Sequence, residues 1–286
     1  MLLSIIILNY KTANLTKHCL KNILALNLNF PYEIIVVDNN SQDRMAEILK
    51  ERFSAELQSG RIKFLPMEKN RGMGAGNNAG VRLATGKYFL ILNPDVVVLK
   101  NSIEYLVDFL EKNEKVGMVA PKFFYPNRNY QPSRYRFPKI YIPAFVRTGL
   151  GDLKFGREKI KKYFMEDVRQ EGPHQIDWVR GAALLARASN FLEVGGFDER
   201  FFMYLEDTDL CRRFWQKGWE VWYLPEAQMI HYYARISQKN KWFLDLFKKN
   251  TLIHIVSWIK YFWKWRKQTQ NSKVKNQNYN SNFKTL

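Results

Sequence analysis

Four short apolar runs punctuate the first hundred residues: Ser4-Ile5-Ile6-Ile7-Leu8, Glu33-Ile34-Ile35-Val36-Val37, Ile62-Lys63-Phe64-Leu65 and Tyr88-Phe89-Leu90-Ile91-Leu92. Between them apolar residues recur on a helical period, as at Leu15, Cys19, Leu20, Ile23, Leu24 and Leu26. Met45 to Phe53 repeats that period briefly, and Asn78 to Ala84 follows a glycine cluster. Strand-length runs without polar alternation are buried on both faces, so the pattern predicts an α/β fold in which helices cover a parallel sheet. Polar residues follow three of the runs: Asn9 the first, Asp38 the second, Asn93 and Asp95 the fourth. Open α/β sheets bind ligands beyond the carboxyl ends of their strands, so these residues are predicted to converge on one crevice.

The second half has a different texture. Residues from about Phe123 to Gln175 are rich in Pro, Tyr, Arg and Lys with weak periodicity, which predicts variable loops or an insertion. Regularity returns at Trp178 to Ala186, at Gly195-Gly196-Phe197-Asp198-Glu199, and in a helix beginning near Glu206.

Composition adds a strongly uneven charge. The formal net charge is +18, and Arg235 to Leu286 holds twelve basic side chains against one acidic, Asp245. Such a balance suits nucleic acid, anionic lipid or a phosphate-rich ligand. Cys19 and Cys211 stand far apart and are expected to pack in the core rather than form a disulfide or thiolate site. Leu2 to Leu8 lacks the basic lead-in and small-residue cleavage site of a secretion signal, and no apolar window is long enough for a spanning helix.

Candidate chemistry centres on acids that follow buried runs. Leu92-Asn93-Pro94-Asp95 ends a strand at a proline and presents an aspartate at the sheet edge, suited to a divalent ion on a diphosphate or to a simple turn. In Phe201 to Phe214, an apolar run meets Glu206, Asp207 and Asp209 at a helix start. Asp209 with Arg213 is an ordinary i,i+4 pair, whereas the adjacent Glu206 and Asp207 suit a general base toward a hydroxyl. His231 follows a strand-like run, and a lone histidine is more often structural than a ligand, although imidazole suits a transition metal such as Mn²⁺. Gly74 to Ala79 matches a relaxed dinucleotide pattern with Asp95 about twenty residues on, a nicotinamide oxidoreductase alternative. That pattern ordinarily follows the first strand, and here no glycine does.

Taken together, Ser4 to Tyr10, Val36-Val37-Asp38-Asn39-Asn40-Ser41, Asn70-Arg71-Gly72 through Asn77-Asn78-Ala79-Gly80, Leu92-Asn93-Pro94-Asp95, and Gly195 to Glu199 through Glu206-Asp207-Thr208-Asp209 resemble the family-2 glycosyltransferases of the GT-A fold. Within that family the chain is most similar to the bacterial rhamnosyltransferases. The resemblance implies a mixed sheet whose N-terminal half (1–100) binds a nucleotide sugar and whose second half (101–235) carries acceptor and catalysis. It implies that Asn9 and Asp38 line the nucleotide pocket and that Asn70, Gly72, Asn77 and Asn93 border the diphosphate and sugar. Asp95 matches the last acid of the family's Asp-x-Asp metal motif, whose first acid is Asn93 here. Asp207 matches the catalytic base of an inverting transfer, and Glu206, Trp178 and Gly181 fall beside sugar or acceptor. His231 falls where some members bind metal. Mn²⁺ or Mg²⁺ would be the cofactor, dTDP-rhamnose a fitting donor, and a lipid-linked or polysaccharide chain of the cell surface the acceptor. A non-catalytic carbohydrate- or membrane-binding protein is the other alternative.

The tail, residues 236–267, mixes Trp, Phe and Ile at helical spacing with Lys and Arg. This predicts amphipathic helices lying in an anionic membrane interface, against the alternative of a helix docked on the catalytic domain. A protein peripherally attached to the cytoplasmic face of the cell membrane follows; no nucleic-acid module is recognisable. Residues 268–286 are Asn-, Gln-, Ser- and Lys-rich and are expected to be disordered.

Overall fold

The computed structural model describes residues 1–147, 149–168, 171–232 and 249–266. The first half runs β1 (Leu3–Asn9), α1 (Ala13–Ala25), β2 (Tyr32–Asp38), α2 (Met45–Arg52), α3 (Ser54–Gln58), β3 (Ile62–Pro66), α4 (Met73–Val81), β4 (Tyr88–Leu92), β5 (Val96–Val98) and α5 (Ser102–Lys112). It continues with β6 (Val116–Phe124), β7 (Tyr130–Gln131), β8 (Arg134–Tyr135), α6 (Ile142–Arg147) and α7 (Lys154–Tyr163). Then come β9 (His174–Gln175), β10 (Trp178–Val179), β11 (Ala183–Arg187), α8 (Ala188–Glu193), α9 (Glu206–Lys217), β12 (Glu220–His231) and α10 (Lys249–Trp265).

One mixed sheet carries both halves, in the order β3-β2-β1-β4-β11-β6-β12-β5. β3, β2, β1 and β4 are parallel, as the apolar runs predict, and β11 joins antiparallel to β4. Successive side chains along β1 alternate between two cores. Ile5 and Ile7 pack with Cys19, Leu20 and Ile23 of α1, whereas Ile6 and Leu8 pack with Phe191 and with Leu210, Cys211 and Phe214 beneath α9. Both cysteines are free and buried, as expected of packing residues.

The glycine cluster departs from expectation. The helix begins at Met73, so Gly74, Gly76 and Gly80 lie inside α4 instead of forming a phosphate-cradling loop before it. The reason is steric: a Cβ on Gly80 would lie 2.7 Å from Ile6 and 2.8 Å from Val37, and one on Gly76 would strike Leu8. These glycines let α4 lie flat on the sheet, which removes the physical basis of the dinucleotide alternative.

Residues 142–163, where weak periodicity predicted loops, form the helical pair α6 and α7 joined through a 3-10 turn at Gly149–Asp152. Of the tail, residues 249–266 are described. Residues 236–248 and 267–286 of the tail expectations lie outside the described residues. No helix among the described residues is long and apolar enough to cross a membrane.

Candidate active site

β1 connects to β2 on one side and lies beside β4 on the other, so the sheet has its topological switch point at the carboxyl ends of β1 and β4. Register places Asn9 opposite Asp38 there. Asn9 is wholly buried; its amide donates to Asp38 at 2.8 Å, to Ser41 at 2.9 Å and to Asp43 at 3.2 Å, while its oxygen accepts from Thr12 and Thr16. Every polar atom of Asn9 is thus engaged by protein, and Asn9 meets the crevice through the half-buried carboxylate of Asp38 that it holds. Asn70 Oδ1 accepts from Asn39 at 3.0 Å and from the Gly72 amide at 2.9 Å, fixing the loop that leads into α4. Asn77 is buried against Met73, with its carbonyl oxygen unpartnered among the described residues.

Asp95 lies between the end of β4 and β5, and strand pairing brings His231 to it. His231 is opposite Val96, and the Tyr232 amide donates to the Asp95 carbonyl at 2.8 Å. His231 Nδ1 donates to Oε1 of buried Gln131 at 2.8 Å. Nε2 faces Asp95 Oδ2 at 3.4 Å, and Asp95 Oδ1 is buried without a hydrogen-bond partner. An imidazole nitrogen and a carboxylate lying side by side are donor types that suit a divalent cation. Among the described residues no third His, Cys, Asp or Glu completes a cluster. Two protein ligands fit an ion whose remaining positions go to phosphate oxygens and water, the usual arrangement for Mg²⁺ and a workable one for Mn²⁺.

Asp207 enters the crevice from the opposite side, at the first turn of α9. The two residues before the helix, Tyr204 and Leu205, have φ of 71° and 66°, a left-handed pair that is uncommon outside glycine. Neighbouring segments hold this turn in place. The Phe202 carbonyl accepts from the Met73 amide at 2.8 Å, and Gly72, with φ of 92°, leaves no room for a Cβ against that carbonyl. Asn78 exchanges hydrogen bonds with the backbone of Phe197 at 2.8 and 2.9 Å.

The Gly181 amide donates to Asp207 Oδ2 at 2.8 Å, and the Thr208 amide to Oδ1 at 2.7 Å. The neighbouring Ala182 carbonyl accepts from the Asn93 amide at 2.8 Å. Two consecutive residues therefore tie the Asn93–Asp95 loop to Asp207. Burial raises the Asp207 carboxyl above the ordinary aspartate range despite its backbone donors, and Arg180 opposes the rise. Burial, then the charge of Asp207, raises Glu206 as well, and Glu206 Oε2 has no partner among the described residues. A carboxylate raised in this way and fixed by backbone amides can accept a proton from a hydroxyl near neutral pH.

Trp178 is held on two sides by its own neighbours. Its indole N–H donates to the Arg136 carbonyl at 2.9 Å and its ring stacks on Tyr135 at 4.2 Å, because β8 pairs with β10. The ring therefore supports the Gly181 segment from behind. Sequence reasoning missed Gln131 and Asp43, neither of which lies in a distinctive pattern, and gave no role to Ser41, which ends the Val36–Ser41 motif.

The tail helix α10 closes the outer side of the Asp198–Leu205 loop. Tyr261 and Trp265 pack on Phe201 and Leu205, the Ser257 hydroxyl donates to the Met203 carbonyl at 2.8 Å, and Lys260 donates to the Arg200 carbonyl at 2.7 Å. Lys264 pairs with Asp198 at 2.7 Å and with buried Asp209 at 2.6 Å. The helix is therefore docked on the catalytic domain, and its other face remains open: Leu252, Ile255, Val256, Ile259 (62% exposed) and Trp263 (63%) point outward.

The model of glycosyl transferase family 2 matches residues 4–184, and that of the N-terminal domain of galactosyltransferase matches residues 171–239. An N-acetylglucosaminyl-diphospho-decaprenol L-rhamnosyltransferase of Mycobacterium tuberculosis is 28% identical over 222 residues, covering 74% of this chain and 70% of the relative. Rhamnosyltransferase WbbL of Escherichia coli is 28% identical over 238 residues, covering 80% of this chain and 82% of the relative. Among solved structures, GalNAc-T7 with UDP, GalNAc and Mn²⁺ superposes with a TM-score of 0.66 at 18% identity, over 93% of this chain and 50% of that one. The mannosyltransferase PcManGT of Pyrobaculum calidifontis, with GDP-Man and Mn²⁺, gives 0.57 at 16% identity over 82% of this chain and 58% of that one. This chain thus spans half to three fifths of those two structures, with which it shares the GT-A fold.

Proposed function

We propose that this chain, which belongs to glycosyl transferase family 2 and is therefore a glycosyltransferase, moves a deoxyhexose such as rhamnose from a nucleoside-diphosphate donor onto a lipid-linked glycan acceptor, with inversion. The observation that carries the reading is the bridge of Gly181 and Ala182, which fixes Asp207 and the Asn93–Asp95 loop on facing sides of one crevice. The two rhamnosyltransferase relatives support the sugar, and the polyprenyl name of the mycobacterial one supports a lipid-linked acceptor.

In this reading the nucleotide lies over Asp38 and the diphosphate over Asp95 and His231. Asp95 and His231 would hold Mn²⁺ or Mg²⁺, which when bound supplies positive charge against the developing diphosphate anion. Asp207 takes the proton of the acceptor hydroxyl as its oxygen bonds to the anomeric carbon and the bond to the diphosphate breaks on the opposite face. Glu206, held in its protonated form by burial and by the charge of Asp207, is placed to hydrogen-bond the acceptor or sugar. The open apolar face of α10, formed by Leu252, Ile255, Val256, Ile259 and Trp263, attaches the enzyme to the anionic inner face of the membrane where a lipid-linked acceptor would sit.

A panel of nucleotide sugars tests the donor: release of nucleoside diphosphate is expected from a deoxyhexose donor with Mn²⁺ or Mg²⁺ and to stop with chelator. Turnover unchanged by chelator would remove the metal. Ile259→Lys with Trp263→Lys is expected to abolish sedimentation with anionic vesicles while a soluble acceptor analogue is still glycosylated.

A further inference from the structure

The helical pair α6–α7 is the least expected part of the molecule, and its surface is unusual. Of the eighteen large hydrophobic side chains exposed among the described residues, five lie between Ile140 and Phe155, as many as on α10. They are Ile140 (69% exposed), Val146, Leu150, Leu153 and Phe155 (51%). Residues 139–162 also carry seven basic side chains and two acidic ones, Asp152 and Glu158. Isolated exposed apolar residues need no explanation, but five of them on one short helical pair that also carries seven basic side chains mark an interaction surface.

The pair is a built element. Tyr141, Phe145 and Phe155 meet edge to face at 5.7 Å, and Gly151 would bring a Cβ to 2.8 Å from Ile160, so only glycine permits the close packing of turn and helix. A folded element that keeps Ile140, Val146, Leu153 and Phe155 in water has placed them there by its own packing. Its root adjoins α10. The Arg212 guanidinium lies over the Phe137 ring at 5.3 Å, at the entry to the pair, and over Trp265 of α10 at 4.7 Å, and it donates to Tyr261 at 3.0 Å. Both apolar, cation-rimmed elements thus spring from the two sides of one arginine on the helix that carries Asp207.

We propose that α6–α7 is a second membrane-contacting element, inserting Ile140, Val146, Leu153 and Phe155 among anionic lipid headgroups with Lys154, Arg157 and Lys161 at the phosphate level. This rests on the membrane attachment of α10 given above and extends it. One amphipathic helix leaves the enzyme free to roll about its axis, whereas two anchors beside Arg212 fix which way the Asp207 crevice faces. Charge complementarity selects the bilayer: a cation rim repels a second copy of a chain with net charge +18 and attracts phosphatidylserine.

The test uses the full chain with an environment-sensitive fluorophore on one introduced cysteine, since Cys19 and Cys211 are buried. Leu153→Cys reports on the helical pair, Ile259→Cys on α10, and Tyr105→Cys on exposed α5 serves as control. With phosphatidylserine vesicles, the labels at 153 and 259 are expected to brighten and to be quenched by brominated lipid, and the label at 105 to stay silent. The triple variant K154Q/R157Q/K161Q is expected to lower vesicle partitioning about tenfold, less than three isolated cations would give because Asp152 and Glu158 lie in the same cleft. Response at 259 with silence at 153 overturns the second anchor and leaves the first. No sedimentation and no response anywhere overturns both. A label at 153 already shielded without lipid, in a species of twice the chain's mass, would give the surface to a second copy and overturn the proposal.

Discussion

The two sides of the crevice are held in different ways. On the donor side, Asp38 and Asp95 sit at strand ends whose places follow from the registers of β1 with β2 and of β5 with β12; Asn9 holds the Asp38 side chain, and Gln131 holds His231 beside Asp95. On the base side, Asp207 follows a left-handed turn that depends on the Met73 amide from α4, the Gly181 amide before β11, and the packing of α10 from the chain's end. A sheet edge positions its residues by backbone pairing alone. A strained turn is only as well ordered as the segments that clamp it. Changes to the clamps should therefore affect turnover more than donor binding.

The largest separation is expected at Asp207 itself. Asp207→Asn should lower kcat by about 10²–10⁴, the range for loss of a positioned base, and leave donor affinity within about twofold. Stopped-flow donor binding beside steady-state transfer measures both, and equal turnover in the variant would remove Asp207 as the base. Asp95→Asn is the converse. It should weaken Mn²⁺ binding, read by electron paramagnetic resonance, by at least the roughly 10–100-fold typical of losing a residue that merely supports a ligand. The thermal stability of the metal-free protein should hold. Unchanged Mn²⁺ affinity would detach Asp95 from the metal.

The same division decided what could be read from the sequence. The parallel strands were legible because each is a short apolar run, and the polar residues that close three of them also located Asp38 and Asp95. Asp207 was legible only beside its motif, since nothing local shows that Gly181 holds it. Gln131 escaped because β7 is a two-residue strand made by tertiary pairing, and two residues have no periodicity. The glycines of α4 were misplaced into a loop because helix propensity penalises glycine, whereas contact with Ile6, Leu8 and Val37 requires it. On α10 the spacing of Ile255, Trp258, Ile259, Phe262 and Trp263 read as one broad face. The fold divides it, with Trp258 and Phe262 turned toward Phe201 and Leu205 and the rest toward solvent.

The clamp is tested more gently by Lys264→Met. Asp209 keeps Arg213 at 2.9 Å, so the loss falls on the link between α10 and the Asp198–Leu205 loop. A stability cost of about 1–2 kcal/mol is expected, together with a severalfold fall in kcat at unchanged donor affinity. A fall in donor affinity of the same size would mean that the two sides are not independently held.

The last effect concerns Glu206 and the pH of folding. Burial, then the charge of Asp207, raises its carboxyl, so the folded state favours the protonated form. A raised acid contributes stability that is fully present below the unfolded glutamate value of about 4.3 and is lost as pH rises through the folded value. Denaturant titrations should therefore show stability falling above about pH 5, by on the order of 1 kcal/mol per unit, until Glu206 ionises. Glu206→Gln keeps the shape and carries no charge to bury. It should match the parent at pH 5 and exceed it at pH 8, flattening the slope across that window. Parallel slopes for the two proteins would mean that Glu206 is already ionised in the folded crevice. The base side would then have to offset two adjacent carboxylates with a cation or donor of its own, and the contrast with a cation-binding donor side would disappear.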